Sequence, residues 1–194
     1  GEADKILTVF GKLGGKYSLI AKGVRKLKSK NRGNVQTLSL SNISFFEGRN
    51  LGVLVETDSV MTPDYTEIDY KRTRRILYLL NKILPENQKE SLIFNHLAKL
   101  IGGDMSNKDI NKFRLFFLKE TGFLPDLGLC MSCSLKNEVT HFEKIGLSLV
   151  CINCANEIKN NTEYVTIPLE DVSYSSSIMS TAIDDYVGRI VEQT

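Results

Sequence analysis

All four cysteines of the 194-residue chain fall in two short pairs: Cys130-Met131-Ser132-Cys133 and, seventeen residues later, Cys151-Ile152-Asn153-Cys154. C-x2-C-x17-C-x2-C lies inside the spacing window of a four-cysteine zinc site. Two residues between thiolates let a tight turn aim both sulfurs at one ion. Two such turns supply the four tetrahedral ligands that Zn²⁺ accepts. Four thiolates leave no open position for water, so the spacing predicts one structural Zn²⁺ held by Cys130, Cys133, Cys151 and Cys154. Two disulfides, or cysteines that merely pack, are the competing readings. Metal-type cysteine usage points to a reducing, cytoplasmic setting. His141 lies between the pairs; a fifth ligand is not needed, so it is read as a surface residue of a hairpin.

The second chemistry is cationic. Net charge is only +2, yet Lys5 through Phe46 carries nine basic residues and no acid. Of the 25 basic residues, 16 remain to face all 23 acids outside that stretch, a net of −7. Such asymmetry suggests a polyanion partner for the N-terminal part, nucleic acid above all. The densest portion holds Lys22, Arg25, Lys26, Lys28, Lys30 and Arg32, the candidate DNA-binding residues. They suit phosphates rather than bases. Phe10, Tyr17, Phe45 and Phe46 are either core or platforms on which bases stack. Lys71, Arg72, Arg74 and Arg75 form a second basic cluster, read as a solvated helix face. His96 is read as structural. No phosphate-binding glycine loop, no paired carboxylates with a histidine and no H-x-E motif is present, so no enzyme is expected.

The elements that must position these groups follow from periodicity. Lys5–Phe10, Lys16–Lys22, Val35–Phe46 and Leu51–Glu56 read as strands, with a basic loop from Gly23 to Asn34. Short strands with a long basic loop describe a small OB-fold-like barrel. Thr62-Pro63 reads as a helix start before Ile68, Ile76, Leu79, Leu80 and Ile83. A second helix carries Leu92, Ile93, Leu97, Leu100 and Ile101 and ends at Gly102-Gly103. Ser106 with Asp109 caps a third, which is apolar from Phe113 to Leu118 and ends at Gly122. Val139–Phe142 and Leu147–Val150 form a hairpin around Lys144-Ile145-Gly146, which makes the cysteine module a zinc ribbon. Ala182–Val191 reads as a last helix packing back on the others.

The expected class is therefore α+β. Residues 1–58 form the OB-fold-like domain, 59–129 a helical domain, 130–158 the zinc ribbon and 159–194 a C-terminal segment. The chain opens on Gly1 with a strand almost at once, so a first barrel strand is expected to be missing. No apolar run approaches the roughly 18 residues of a membrane helix, and no signal-peptide pattern opens the chain. No membrane partner is expected.

The order of parts resembles the RecO family of bacterial recombination mediators over nearly the whole chain. Gly1-Glu2-Ala3-Asp4-Lys5-Ile6-Leu7-Thr8 resembles the family's opening after its first strand. Ala21-Lys22-Gly23-Val24-Arg25 and Lys28-Ser29-Lys30 resemble its basic stretch. Gly122-Phe123-Leu124-Pro125 followed by Cys130-Met131-Ser132-Cys133 resembles its helix exit into the zinc module. Ser134 stands where many members have glycine, and Gly146-Leu147 replaces a common Gly-Gly. The family's basic C-terminal motif is not evident. The resemblance implies a non-enzymatic protein of the bacterial cytoplasm and nucleoid, with binding to single- and double-stranded DNA and annealing of complementary strands. It also implies a RecR-type partner, with single-strand-binding protein and the recombinase as further partners. The alternative is a zinc-ribbon module that binds RNA or protein and does not anneal.

Overall fold

A computed structural model describes residues 1–63, 70–125, 127–135, 139–159, 166–169 and 172–193. Ile68 of the first expected helix lies outside the described residues. Two compact units are present: residues 1–73 with 84–104, and residues 74–83 with 105–194.

The first unit is built on strands β1 (Lys5–Gly11), β2 (Gly15–Ala21), β3 (Leu40–Phe46) and β4 (Gly52–Met61). β1 and β2 form an antiparallel hairpin running from Lys5↔Ala21 to Gly11↔Gly15. β4 pairs in parallel with β2 through Leu19↔Gly52 and Ile20↔Val53, and in antiparallel with β3. The β3–β4 ladder is irregular between Leu40 and Ser41 and between Ser44 and Phe45. The sheet order is β1-β2-β4-β3. β1 and β3 are its edges, and no pairing among the described residues joins them, so the expected barrel is not closed. The reason lies in Val35–Ser39, which the sequence pattern reads as strand. Leu38 takes a positive φ of 55°, and the Ser39 N–H and hydroxyl both donate to the Gln36 carbonyl, at 3.4 and 2.9 Å. A turn therefore replaces the first half of the long bent strand that closure calls for.

Leu19, Ala21, Val24 and Leu54 form the buried centre of this unit, with Leu7, Val9, Tyr17, Val35, Ile43 and Phe45 packed around them. Helix α2 (Ser91–Ile101) buries Ile93, Leu97, Leu100 and Ile101. Phe94 meets Phe10 edge-on, with centroids 5.8 Å apart. The chain before α2 lies against β2: the Asn87 N–H donates to the Lys16 carbonyl at 3.2 Å. Gly15 makes this approach possible. Its φ is +84°, and a Cβ there would lie 2.2 Å from the Gln88 carbonyl oxygen.

The second unit holds most of α1 (Tyr70–Lys82), α3 (Asn107–Glu120) and α5 (Ser177–Gln193), together with the cysteine module. Ser106 caps α3 by accepting from the Asp109 N–H at 3.2 Å. At its other end Gly122, with φ +78°, lets the Gly122 and Phe123 N–H groups turn back to the Lys119 and Leu118 carbonyls at 3.0 and 2.8 Å. This is the Schellman closure that the glycine predicts. Ile110, Phe113, Phe117 and Leu118 of α3 are buried, as are Met179, Ala182, Ile183 and Val187 of α5.

A polar network crosses that core. Arg114, 2% exposed, donates to Asp184 at 2.5 Å, and Arg75 reaches the other carboxylate oxygen at 3.0 Å. Asn111 donates to the Ser180 hydroxyl and the Tyr174 carbonyl at 2.9 and 2.8 Å. Burial pulls Arg114 down to about 10, against the pull of Asp184. Arg75 thus leaves the basic cluster expected to be solvated: it is committed to Asp184.

Candidate functional site

The cysteine module consists of β5 (Val139–Glu143), β6 (Ser148–Cys151) and α4 (Ile152–Lys159), with β7 (Thr166–Pro168) added to the far edge of β5. β5 and β6 make the expected antiparallel hairpin, from Val139↔Cys151 to Glu143↔Ser148. Its turn is held from inside. The buried Glu143 carboxyl accepts from the Ile145 N–H at 2.5 Å, the Gly146 N–H at 2.6 Å and the Ser148 hydroxyl at 3.2 Å. Leu147 closes the turn at φ +50°. His141 is 6% exposed, which corrects its reading as a surface residue. Its Nδ1 faces the Thr140 hydroxyl at 2.9 Å.

The hairpin carries the second cysteine pair to the first. The Met131 N–H donates to the Leu149 carbonyl at 2.9 Å, which fixes the first knuckle on β6. Within that knuckle the Ser134 N–H returns to the Cys130 carbonyl at 2.8 Å, with Ser134 at φ +58°. The four Sγ atoms lie within 4.8 Å of one another. A tetrahedral zinc thiolate has sulfur–sulfur edges of about 3.8 Å, so the donor set is positioned to hold a metal ion. Cys130, Cys151 and Cys154 are buried and Cys133 is exposed.

The electrostatics of the thiols point the same way. Burial raises the Cys130 thiol, but backbone N–H groups of Cys133, Cys151 and Ser132 outweigh it and bring it down to about 6. The Cys151 N–H lies 3.4 Å from its sulfur. Cys154 is pushed up to about 12, first by its bond to Cys151 and then by burial. A Leu135 N–H lowers Cys133, yet the Cys130 bond and burial leave it raised. One thiolate is readily made, and further negative charge beside it is unfavourable. A divalent cation removes that conflict.

The six candidate cations lie elsewhere, on the connection from β2 to β3. Lys22, Arg25, Lys26, Lys28, Lys30 and Arg32 are all exposed. The connection is a succession of turns rather than an open loop. N–H groups of Lys26, Ser29, Arg32 and Asn34 each return to the carbonyl three residues back, at 3.0 to 3.2 Å. Val24 is buried in the sheet's core. The Arg25 N–H donates to the Ala3 carbonyl at 2.9 Å, and the Gly23 N–H to the Asp4 carboxylate at 2.7 Å. Arg25 also spends its guanidinium on the Glu2 carbonyl, at 3.0 Å. The side chains of Lys26, Lys28, Lys30 and Arg32 make no hydrogen bond or ion pair among the described residues.

Two asparagines of the expected basic loop, Asn31 and Asn34, fasten its far end. Asn31 donates to the Val55 carbonyl at 3.1 Å and accepts from the Thr57 N–H at 3.3 Å. Asn34 donates to the Thr57 carbonyl at 2.6 Å. Of the candidate stacking rings, Phe10 packs on Phe94, and Tyr17 on Phe45 at 5.6 Å. Phe46, 71% exposed, is the ring left open.

The architecture defines an α+β protein with a sheet-based, cation-bearing N-terminal unit and a helical unit that carries a four-cysteine ribbon. Residues 1–62 match the family model for the recombination protein O N terminal domain. The DNA repair protein RecO of Thermoanaerobacter sp. (strain X514) is 29% identical over 184 residues, covering 90% of this chain and 73% of that protein. That of Heliobacterium modesticaldum is 30% identical over 147 residues, covering 72% and 53%. That of Alkaliphilus metalliredigens is 30% identical over 166 residues, covering 79% and 66%. The chain belongs to the RecO family. It spans roughly half to three quarters of the length of these relatives. No described helix is long and apolar enough to cross a membrane.

Proposed function

We propose that the chain is a DNA-binding recombination mediator in DNA repair, acting without catalysis of its own. Lys22, Arg25, Lys26, Lys28, Lys30 and Arg32 take the phosphates of single- and double-stranded DNA. Complementary strands are thereby brought together. With a RecR-type partner the protein assists loading of the recombinase onto strands coated by single-strand-binding protein, in the bacterial cytoplasm and on the nucleoid. Cys130, Cys133, Cys151 and Cys154 hold one structural Zn²⁺. One observation carries this proposal: exposed cations gathered on a single connection, four of them with no partner among the described residues. The name shared by the relatives, DNA repair protein RecO, agrees with it.

Phosphate binding of this kind is nearly blind to sequence and steeply dependent on salt. On single strands the log–log slope is about 0.7 per phosphate contacted. Changing Arg25, Lys26 and Lys28 together to alanine should flatten that slope by about two units and leave the fold intact. An unchanged slope in the folded variant would move the DNA site elsewhere, with Lys71, Arg72 and Arg74 the next candidates.

A second reading, an RNA- or protein-binding ribbon module without annealing, is favoured by exposed Met131, Leu135 and Ile152 around the cysteines. Tighter binding of RNA than of DNA of the same sequence would select it.

A further inference from the structure

β4 pairs with β2 only at Gly52 and Val53, although β4 runs on to Met61. Beyond Val53 no strand among the described residues answers the backbone groups on that side of β4. Bare edges of this kind bind other strands, and buried backbone groups need partners. Here the partners are side chains. The Asn31 amide both donates to the Val55 carbonyl and accepts from the Thr57 N–H, as a peptide group of a neighbouring strand would. Asn34 takes the Thr57 carbonyl. Thr57 is buried.

The two asparagines stand at the C-terminal end of the cation-bearing turns. Val24 and the bonds of Gly23 and Arg25 stand at the other end. Between these two fastenings lie Lys26, Lys28 and Lys30, with Arg32 between the two asparagines. A connection of this length, if loose, would have to be ordered each time its cations met a strand of phosphates. Ordering beforehand moves that entropy cost from binding into folding.

We infer that Asn31 and Asn34 are positioning residues for the nucleic-acid site: they dock the basic connection on the open edge of β4, so that its cations are presented to phosphates as a set array. This rests on the phosphate-binding function proposed above. It assigns a role to two uncharged residues that touch no phosphate themselves.

The test separates ordering from charge. Asn31→Ala and Asn34→Ala together leave every cation in place. Affinity for a single-stranded oligonucleotide at fixed salt should fall about tenfold, because ordering is now charged to binding. The salt slope should stay at its wild-type value, because the same phosphates are met. Amide exchange should rise at Lys26, Ser29, Arg32 and Thr57, while the β3–β4 ladder amides stay protected. If the double variant does not fold, each single variant is read the same way, with a smaller loss. Unchanged affinity in a folded variant whose connection has loosened overturns the inference. So does a slope that falls with the affinity, since the asparagines would then be contacts rather than positioners. The Arg25, Lys26 and Lys28 triple variant distinguishes the underlying function. If it leaves the slope unchanged, the phosphate site itself is misplaced and the inference falls with it.

Discussion

Ser134 and Leu147 sit where the backbone asks for glycine, at φ +58° and +50°. For an L residue the left-handed region costs roughly 1–2 kcal/mol. Ser134 is exposed, so nothing is lost when its side chain is removed. Ser134→Gly should therefore stabilise the protein by about 0.5–1 kcal/mol, the strain relieved less the extra entropy of an unfolded glycine. Leu147 is the opposite case. It is 1% exposed, and removing a buried leucine side chain costs about 2–5 kcal/mol, more than the strain returns. Leu147→Gly should destabilise by about 2–3 kcal/mol on the same scale. Urea unfolding of both variants with metal bound checks the pair; a less stable Ser134→Gly would show that its φ carries no strain. Both positions were visible in the sequence as departures from a family glycine. Burial of Leu147 and His141 was not, and neither was Glu143, whose partners are the Ser148 hydroxyl and two backbone groups of a turn that composition marks only as turn material.

Among the elements, what the sequence revealed is what local signals determine. The cysteine pairs, the Ser106 cap and the Gly122 exit each act within a few residues, and each is found as expected. β7 escapes because three residues, Thr166–Pro168, carry too little pattern; register against β5 makes them a strand. The connection from β2 to β3 escapes because its fastening is remote: Asn31 and Asn34 bond to residues more than twenty positions away. The open sheet has a different origin, the local turn at Leu38, which an apolar-marked stretch conceals.

The ribbon supports a prediction at this scale. Three of the five buried residues in its cluster, Cys130, Cys151 and Cys154, are themselves ligand candidates. So small a core leans on the metal, and chelation should unfold it. Elemental analysis should find one zinc per chain, and Cys151→Ser should lower the melting temperature before it alters DNA affinity. Metal uptake should also release protons. Zinc takes thiolates, while Cys133 and Cys154 are both raised above an ordinary thiol and so still protonated at neutral pH. Affinity for zinc should therefore rise with pH through the neutral range and fall in acid. Calorimetry in two buffers of different ionisation enthalpy measures the release. Zinc binding with no proton released would contradict the thiol arrangement.

At the scale of the molecule, charge is divided along the chain rather than balanced: nine cations and no acid from Lys5 to Phe46, and a net of −7 over everything else. A polyanion is drawn to one stretch and repelled by the remainder, so DNA should engage the β2–β3 connection and little else. Pairing two strands involves no bond chemistry. Their phosphates must be neutralised together while the bases stay free, and cations that bind phosphate without reading bases meet both conditions. Annealing of complementary oligonucleotides should therefore be accelerated without nucleotide or divalent metal in solution, as long as the ribbon stays folded. No ATP should be turned over. Raising salt should abolish the acceleration along with binding, since both depend on the same phosphate contacts. The Arg25, Lys26 and Lys28 alanine variant should bind weakly and pair strands no faster than buffer. The mediator function makes its sharpest claim where binding is strong. If the wild-type protein saturates both strands at low salt and complementary strands still pair at the uncatalysed rate, cation placement serves only to hold DNA.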